Sequence, residues 1–215
     1  DNNIAIFDGE FTVLIVNDCS TEKMPKSSFN FKKIKSIDLI NIKRNQGHTR
    51  CNATGIKYLS EKKDFDYMIL MDGDGEDNPS DLRIIIKNVL EKKNISVVAT
   101  RKKRSEGLLF TLFYNLHKLI TLIFTGKNIN FGHYSCLTRE DVILLSSKKT
   151  LWSNFAGAAK KFIPNLHSIP TIRGLRYYGP SKMPLKGLII HSMSIIASFK
   201  YEVLLRTLLF IFFFS

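Results

Sequence analysis

Three carboxylates at alternate positions, Asp72, Asp74 and Glu76, follow the apolar run YMILM at residues 67–71. Alternate residues of an extended segment face the same way, so these acids are expected to converge on one point. Hard divalent cations such as Mg2+ and Mn2+ take oxygen ligands of this kind and share them with substrate phosphates. Packed together without a cation, the carboxylates would repel one another and rise in pKa. The expected chemistry is therefore metal-assisted handling of a phosphorylated ligand. A polar turn rich in Asp and Gly is the simpler reading, and the buried run in front of the acids weighs against it. The spaced ligands and closing Glu of an EF-hand are missing.

A second charged segment lies about a hundred residues downstream. Arg176, Ser181 and Lys182 flank a loop hinged at Gly179. Arg and Lys on a flexible loop suit a phosphate clamp, with an ordinary basic loop as the plain alternative.

The elements that must position these groups alternate between strand and helix. Apolar, β-rich runs at 11–16 (FTVLIV), 37–42, 67–71 and 95–100 (ISVVAT) predict buried strands. Helical spacing predicts helices over 49–60, 81–92, 108–124 and 185–199, and residues 171–178 read as a strand and turn. This order implies βαβ units and a mainly parallel sheet, with ligands at the carboxyl ends of strands. Asp18 and the Asp72 motif both follow such ends.

Composition bounds the rest. A 215-residue chain with 44% apolar residues builds a substantial core. Its net charge of +13 suggests an anionic partner: nucleic acid, acidic lipid or a phosphorylated substrate. A basic nucleic-acid-binding domain is one reading, drawing on the charge and the run at 101–104. No recognition motif accompanies it, and acidic clusters stand where binding would occur, so nucleic acid is not an expected partner. Cys19, Cys51 and Cys136 lack metal-ligand spacing and read as small buried residues of a reducing compartment. The run VLLRTLLFIFFF at 203–214 is shorter than the roughly 20 residues a span needs. It is open to three readings: the first part of a spanning helix, an interfacial anchor or a buried core helix.

Four stretches in order resemble family-2 glycosyltransferases of the polyprenyl-phosphate type, such as dolichol-phosphate mannose synthases. Residues 16–21 (VNDCST) resemble the family's VDDGST loop, and 44–47 (RNQG) with Gly55 its RNxG…G segment. Residues 71–79 (MDGDGEDNP) resemble MDADLQDPP, and 176–182 (RYYGPSK) resemble RxxGxSK. The resemblance implies an α/β GT-A (Rossmann-like) fold, with a mainly parallel sheet flanked by helices. It implies a catalytic domain over 1–184 and amphipathic, membrane-associated helices over 185–215.

It also implies roles. Asp72, Asp74 and Glu76 hold Mg2+ or Mn2+. Asp18, Asn45, Gly47, Asp72, Arg101 and Ser181 bind the UDP- or GDP-sugar, with Asp18 at the base. Asp74, Arg176 and Lys182 serve catalysis, because the cation that Asp74 holds neutralises the diphosphate leaving group together with Arg176 and Lys182. The acceptor is a polyprenyl phosphate at the cytoplasmic face of the membrane. That nucleophile is already an anion and needs no strong base. The chain departs from the family at 130–135 (NFGHYS against DTGDFR), where Asn130, His133 and Ser135 replace Asp, Asp and Arg. Relatives also begin one strand earlier, so the domain is expected to lack the first strand. Transfer to another glycan in cell-envelope polysaccharide synthesis, and a degenerate inactive domain, are the alternatives.

Overall fold

The structure is a computed structural model describing residues 2–21, 31–92, 95–101, 108–172, 174–177, 179 and 185–214. For residues 101, 108–114, 117, 185, 186, 188 and 214 only the backbone is described. Strands β1 (Phe11–Asn17) and β2 (Ile34–Asn41) form a parallel pair that ends with Asn17 opposite Asn41. Helix α1 (His48–Lys62) crosses β1 with Gly55 at the contact. A Cβ there would stand 3.2 Å from Val16 Cγ2, so the missing side chain lets helix and strand approach closely. On its other side α1 buries Ala53 and Ile56 in a core with Met68, Leu137, Val142 and Phe155. One helix thereby braces both sheets.

The second sheet has the order β3-β5-β4-β6. Its strands are β3 (Tyr67–Leu70), β4 (Val97–Arg101), β5 (Phe131–Thr138) and β6 (His167–Thr171). β4 and β6 are parallel, but β5 lies antiparallel between β3 and β4. The mainly parallel sheet expected from the sequence is thus corrected to a mixed one. The cause is α3 (Leu108–Thr125), which packs on α6 (Leu185–Ala197) and α7 (Lys200–Phe214). A crossover helix laid on the sheet would return the chain parallel. α3 is not packed that way, and β5 runs opposite to β4.

Short polar bonds lock the remaining pieces. A 3-10 turn at Pro79–Asp81 leads into α2 (Leu82–Glu91), and its Asn78 cap accepts from Ser80 N at 3.0 Å. α2 buries Ile85 and Val89 against Val97, Ala99, Cys136 and Ile169. α4 (Arg139–Ser146) is capped by Thr138, and Ser96 donates to Asp141 while accepting from Thr138 N at 3.1 Å. α5 (Phe155–Phe162) is capped by the buried Asn154, whose amide also reaches Ser194 of α6.

Two further expectations are corrected. The strand foreseen over 171–178 lies earlier, at β6, and 174–177 form a loop. Residues 203–214 are no core helix: Leu204, Leu205, Leu208, Leu209 and Phe212 of α7 are all exposed. Among the described residues no helix is long and apolar enough to cross a membrane.

Candidate active site

The acidic loop begins two residues beyond β3 and is folded by its own carboxylates. Asp77, 3% exposed, accepts from Asp72 N at 2.8 Å through Oδ2. Asp74 Oδ1 accepts from Glu76 N at 3.0 Å, and Gly75 turns the chain at φ 94°. Beneath the loop, Tyr134 donates to the Asn78 carbonyl at 2.9 Å. Burial, with Asp81 and Asp77 nearby, raises the Tyr134 pKa and keeps it a donor.

The β3–β5 register sets the first contact across the site. Leu70 pairs with Ser135, so continuing the ladder by two residues brings Asp72 opposite His133. Their side chains meet there, Asp72 Oδ2 to His133 Nε2 at 3.3 Å. The His48 ring, at the start of α1, lies 5.2 Å from that of His133 and 6.0 Å from that of His191 on α6. Burial and the neighbouring His133 lower the His48 pKa, while Asp72 and Asp18 act the other way. Both strand-end acids therefore feel the same imidazole, which places the ends of β1 and β3 at one side of the domain.

Asp18 is used locally. Its Oδ1 and Oδ2 accept from Gln46 N at 2.7 Å and Gly47 N at 2.8 Å, gathering the free amides before α1. Asn45 Nδ2 donates to the Asp18 carbonyl at 3.3 Å, and Gly47 takes φ 83°. Burial first, and then Asp18, push the Cys51 thiol up to about 12, and burial alone does the same at Cys136. Cys19 corrects the expectation of three buried cysteines. It is exposed and holds φ 60° where the VDDGST pattern has glycine.

The opposite wall is residues 174–177. Arg176 Nη2 stands 3.1 Å from Asp74 Oδ2, and its Nε donates to Glu76 Oε1 at 2.9 Å. Backbone bonds run beside this fork: Gly174 N to the Glu76 carbonyl, 2.9 Å, and Tyr177 N to the Asp74 carbonyl, 2.8 Å. The sequence-derived site residues thus meet only in part. Asp74 and Glu76 face Arg176, Asp72 faces His133, and no three His, Cys, Asp or Glu groups are placed to hold a metal ion among the described residues. Arg101 ends β4 opposite Thr171, with its side chain outside the described residues. Ser181 and Lys182 also lie outside them. His48 and Asp77 escaped the sequence reading, because a lone His and a fourth acid in a turn carry no distinguishing pattern.

This α/β domain sets acids at the end of one strand against an arginine loop. The sequence model of glycosyl transferase family 2 matches residues 2–174, and the chain belongs to that family. It is accordingly a glycosyltransferase with the GT-A α/β fold, taking a nucleotide-sugar donor and an acceptor. No curated protein matches the chain at a significant level.

The half-buried imidazole of His48 has a consequence for stability. Above pH 6.5 His48 is neutral in the folded and unfolded chain alike. Below it the unfolded chain takes up the proton first, because the folded pKa is lowered. Stability is expected to fall as pH drops from 7 to 5.5, read from thermal unfolding. His48→Asn is expected to lessen this fall, and His167, also lowered by burial and by Lys92, contributes to the slope that remains.

Proposed function

We propose that this glycosyltransferase moves a sugar from a UDP- or GDP-sugar to a polyprenyl phosphate at the cytoplasmic face of a membrane, with Mg2+ or Mn2+. The observation that carries the reading is the opposition of Asp74 and Glu76 to Arg176 within about 3 Å, beside Asp72. The oxygen donors suit a hard cation in type, though Arg176 and His133 now engage them. When bound, the cation would supply charge neutralisation on the donor diphosphate, with Asp72, Asp74 and Glu76 as its ligands. Asp18 shapes the Asn45–Gly47 turn that would receive the nucleotide. Arg176, Ser181 and Lys182 would contact phosphate, and Arg101 stands at a strand end suited to the same task. An acceptor that is already anionic needs only to be positioned near the anomeric carbon, not deprotonated.

The apolar helices support the lipid acceptor. Leu204, Leu208 and Ile211 fall on one face of α7, each more than half exposed at 57%, 55% and 56%. With Ile189, Ile190 and Met193 exposed on α6, they suit an interfacial seat, and the net charge of +13 suits an anionic leaflet. Sedimentation with phosphatidylglycerol vesicles tests this. Leu204→Glu with Leu208→Glu is expected to weaken binding by about tenfold or more. Equal sedimentation of the double variant would dispose of the interfacial seat.

The main experiment assays the full chain against UDP- and GDP-sugars with undecaprenyl phosphate, in Mn2+, in Mg2+ and in chelator. A labelled lipid product that needs the metal is expected. No transfer, together with no metal-dependent nucleotide binding, would sink the proposal in favour of a degenerate domain. Transfer to a glycan hydroxyl is the second reading. His133, whose Nε2 stands 3.3 Å from Asp72 Oδ2, favours it. A glycan acceptor panel in the same assay separates the two.

A further inference from the structure

We infer that Arg176 is an internal counter-ion that competes with the divalent cation of the donor site. In this inference, which rests on the metal reading above, segment 174–177 docks on the acidic loop and leaves when a cation binds. The two segments are shaped for each other. A Cβ at residue 174 would stand 2.3 Å from the Gly75 carbonyl oxygen, and one at residue 75 would stand 2.9 Å from the Tyr177 ring. Two glycines a hundred residues apart thus allow the backbones to touch, and the two backbone hydrogen bonds at Glu76 and Asp74 follow from that contact.

The Arg176 fork then takes one oxygen from each of two carboxylates, at 3.1 and 2.9 Å. A divalent cation binds such oxygens at roughly 2.0–2.6 Å. It would stand in the space of the guanidinium, and two cationic centres that close repel each other. Arg176 and the cation therefore exclude one another.

Among the described residues little else ties the segment down. Leu175 is 85% and Tyr177 63% exposed, so few apolar contacts are lost when it lifts. The carboxylates are within reach of solvent, with 35% of the Asp74 side chain and 11% of the Glu76 side chain exposed. Exchange of guanidinium for metal is thus open from outside. It would also free Arg176 for the donor phosphates at the moment the metal brings them in.

Titration calorimetry with Mn2+ alone on the purified full chain tests the competition. Arg176→Ala is expected to bind Mn2+ about tenfold more tightly than the unaltered chain. Removing a positive charge would by itself strengthen cation binding, so Gly174→Val is the decisive companion. It keeps Arg176 and wedges the segment off the Gly75 carbonyl, and it is expected to tighten Mn2+ binding as well. In the unaltered chain, Mn2+ is expected to speed tryptic cleavage after Arg176. Circular dichroism establishes that each variant is folded, with Arg176→Gln standing in for Arg176→Ala and Gly174→Ala for Gly174→Val where one is not. Tightening in the Arg176 variant but not in Gly174→Val reduces Arg176 to a bystander charge and overturns the inference. Equal binding by all three proteins overturns it too, leaving the metal reading intact. No Mn2+ binding by any of them overturns the metal reading and the competition together.

Discussion

Asp74→Asn is expected to lower sugar transfer by about a hundredfold or more while leaving the fold in place. The substitution is nearly isosteric and keeps an oxygen at Oδ1, the atom that accepts from Glu76 N and turns the loop. What it removes is the negative charge that faces Arg176 through Oδ2. The same charge is the proposed cation ligand between Asp72 and Glu76. The effect should therefore fall on kcat and on metal-dependent nucleotide binding, with the melting temperature almost unmoved. Initial rates with a labelled donor measure it, and a variant within threefold of the unaltered enzyme would remove Asp74 from the reaction.

Asp77→Ala is expected to cost about 2–3 kcal/mol of stability and to abolish transfer with it. Asp77 is 3% exposed and holds the Asp72 amide at 2.8 Å. Truncation leaves that amide without its acceptor and opens a hole beneath the acidic loop. Asp77→Asn retains an acceptor oxygen and should lose less. Urea unfolding followed by circular dichroism distinguishes the two, and an alanine variant with an unchanged midpoint would show that the loop is held by something else. Under the proposed function Asp74 would serve the chemistry as well as the turn, while Asp77 holds the loop's shape.

Much of the frame was legible because burial leaves a periodic trace. The runs at 11–16, 67–71 and 95–100 became β1, β3 and β4 within a few residues, and α1, α2, α3 and α6 fell where helical spacing placed them. β5 was not legible as a strand. Its residues FGHYSCLT mix Gly, His and Ser into a fully internal position, where hydrogen bonds to two neighbours do the work that apolar alternation usually reveals. α4 and α5, eight residues each, are too short to show a period, and polar caps at Thr138 and Asn154 define them instead.

At the site, the segments carrying Asp72, Asp74, Glu76 and Arg176 could be singled out from residue type, and the fold brings Asp74, Glu76 and Arg176 together. What sequence could not supply was the partner of each. That Asp72 turns to His133 depends on the antiparallel register of a strand not foreseen. That Arg176 docks so closely depends on two glycines whose purpose is visible only in three dimensions.

That register also governs how this family member can vary. Asp72 and His133 stand two residues past the last ladder pair, so their separation is inherited from the sheet's stiffness and not from a loop's equilibrium. Deleting one residue between 131 and 134 would turn every later side chain of β5 to the opposite face and exchange His133 for a neighbour. Residues 174–177 meet the acidic loop instead, where a Cβ at residue 174 would stand 2.3 Å from the Gly75 carbonyl oxygen. The carboxylate–imidazole pair is thus held by a sheet, and the guanidinium–carboxylate contact by a loop.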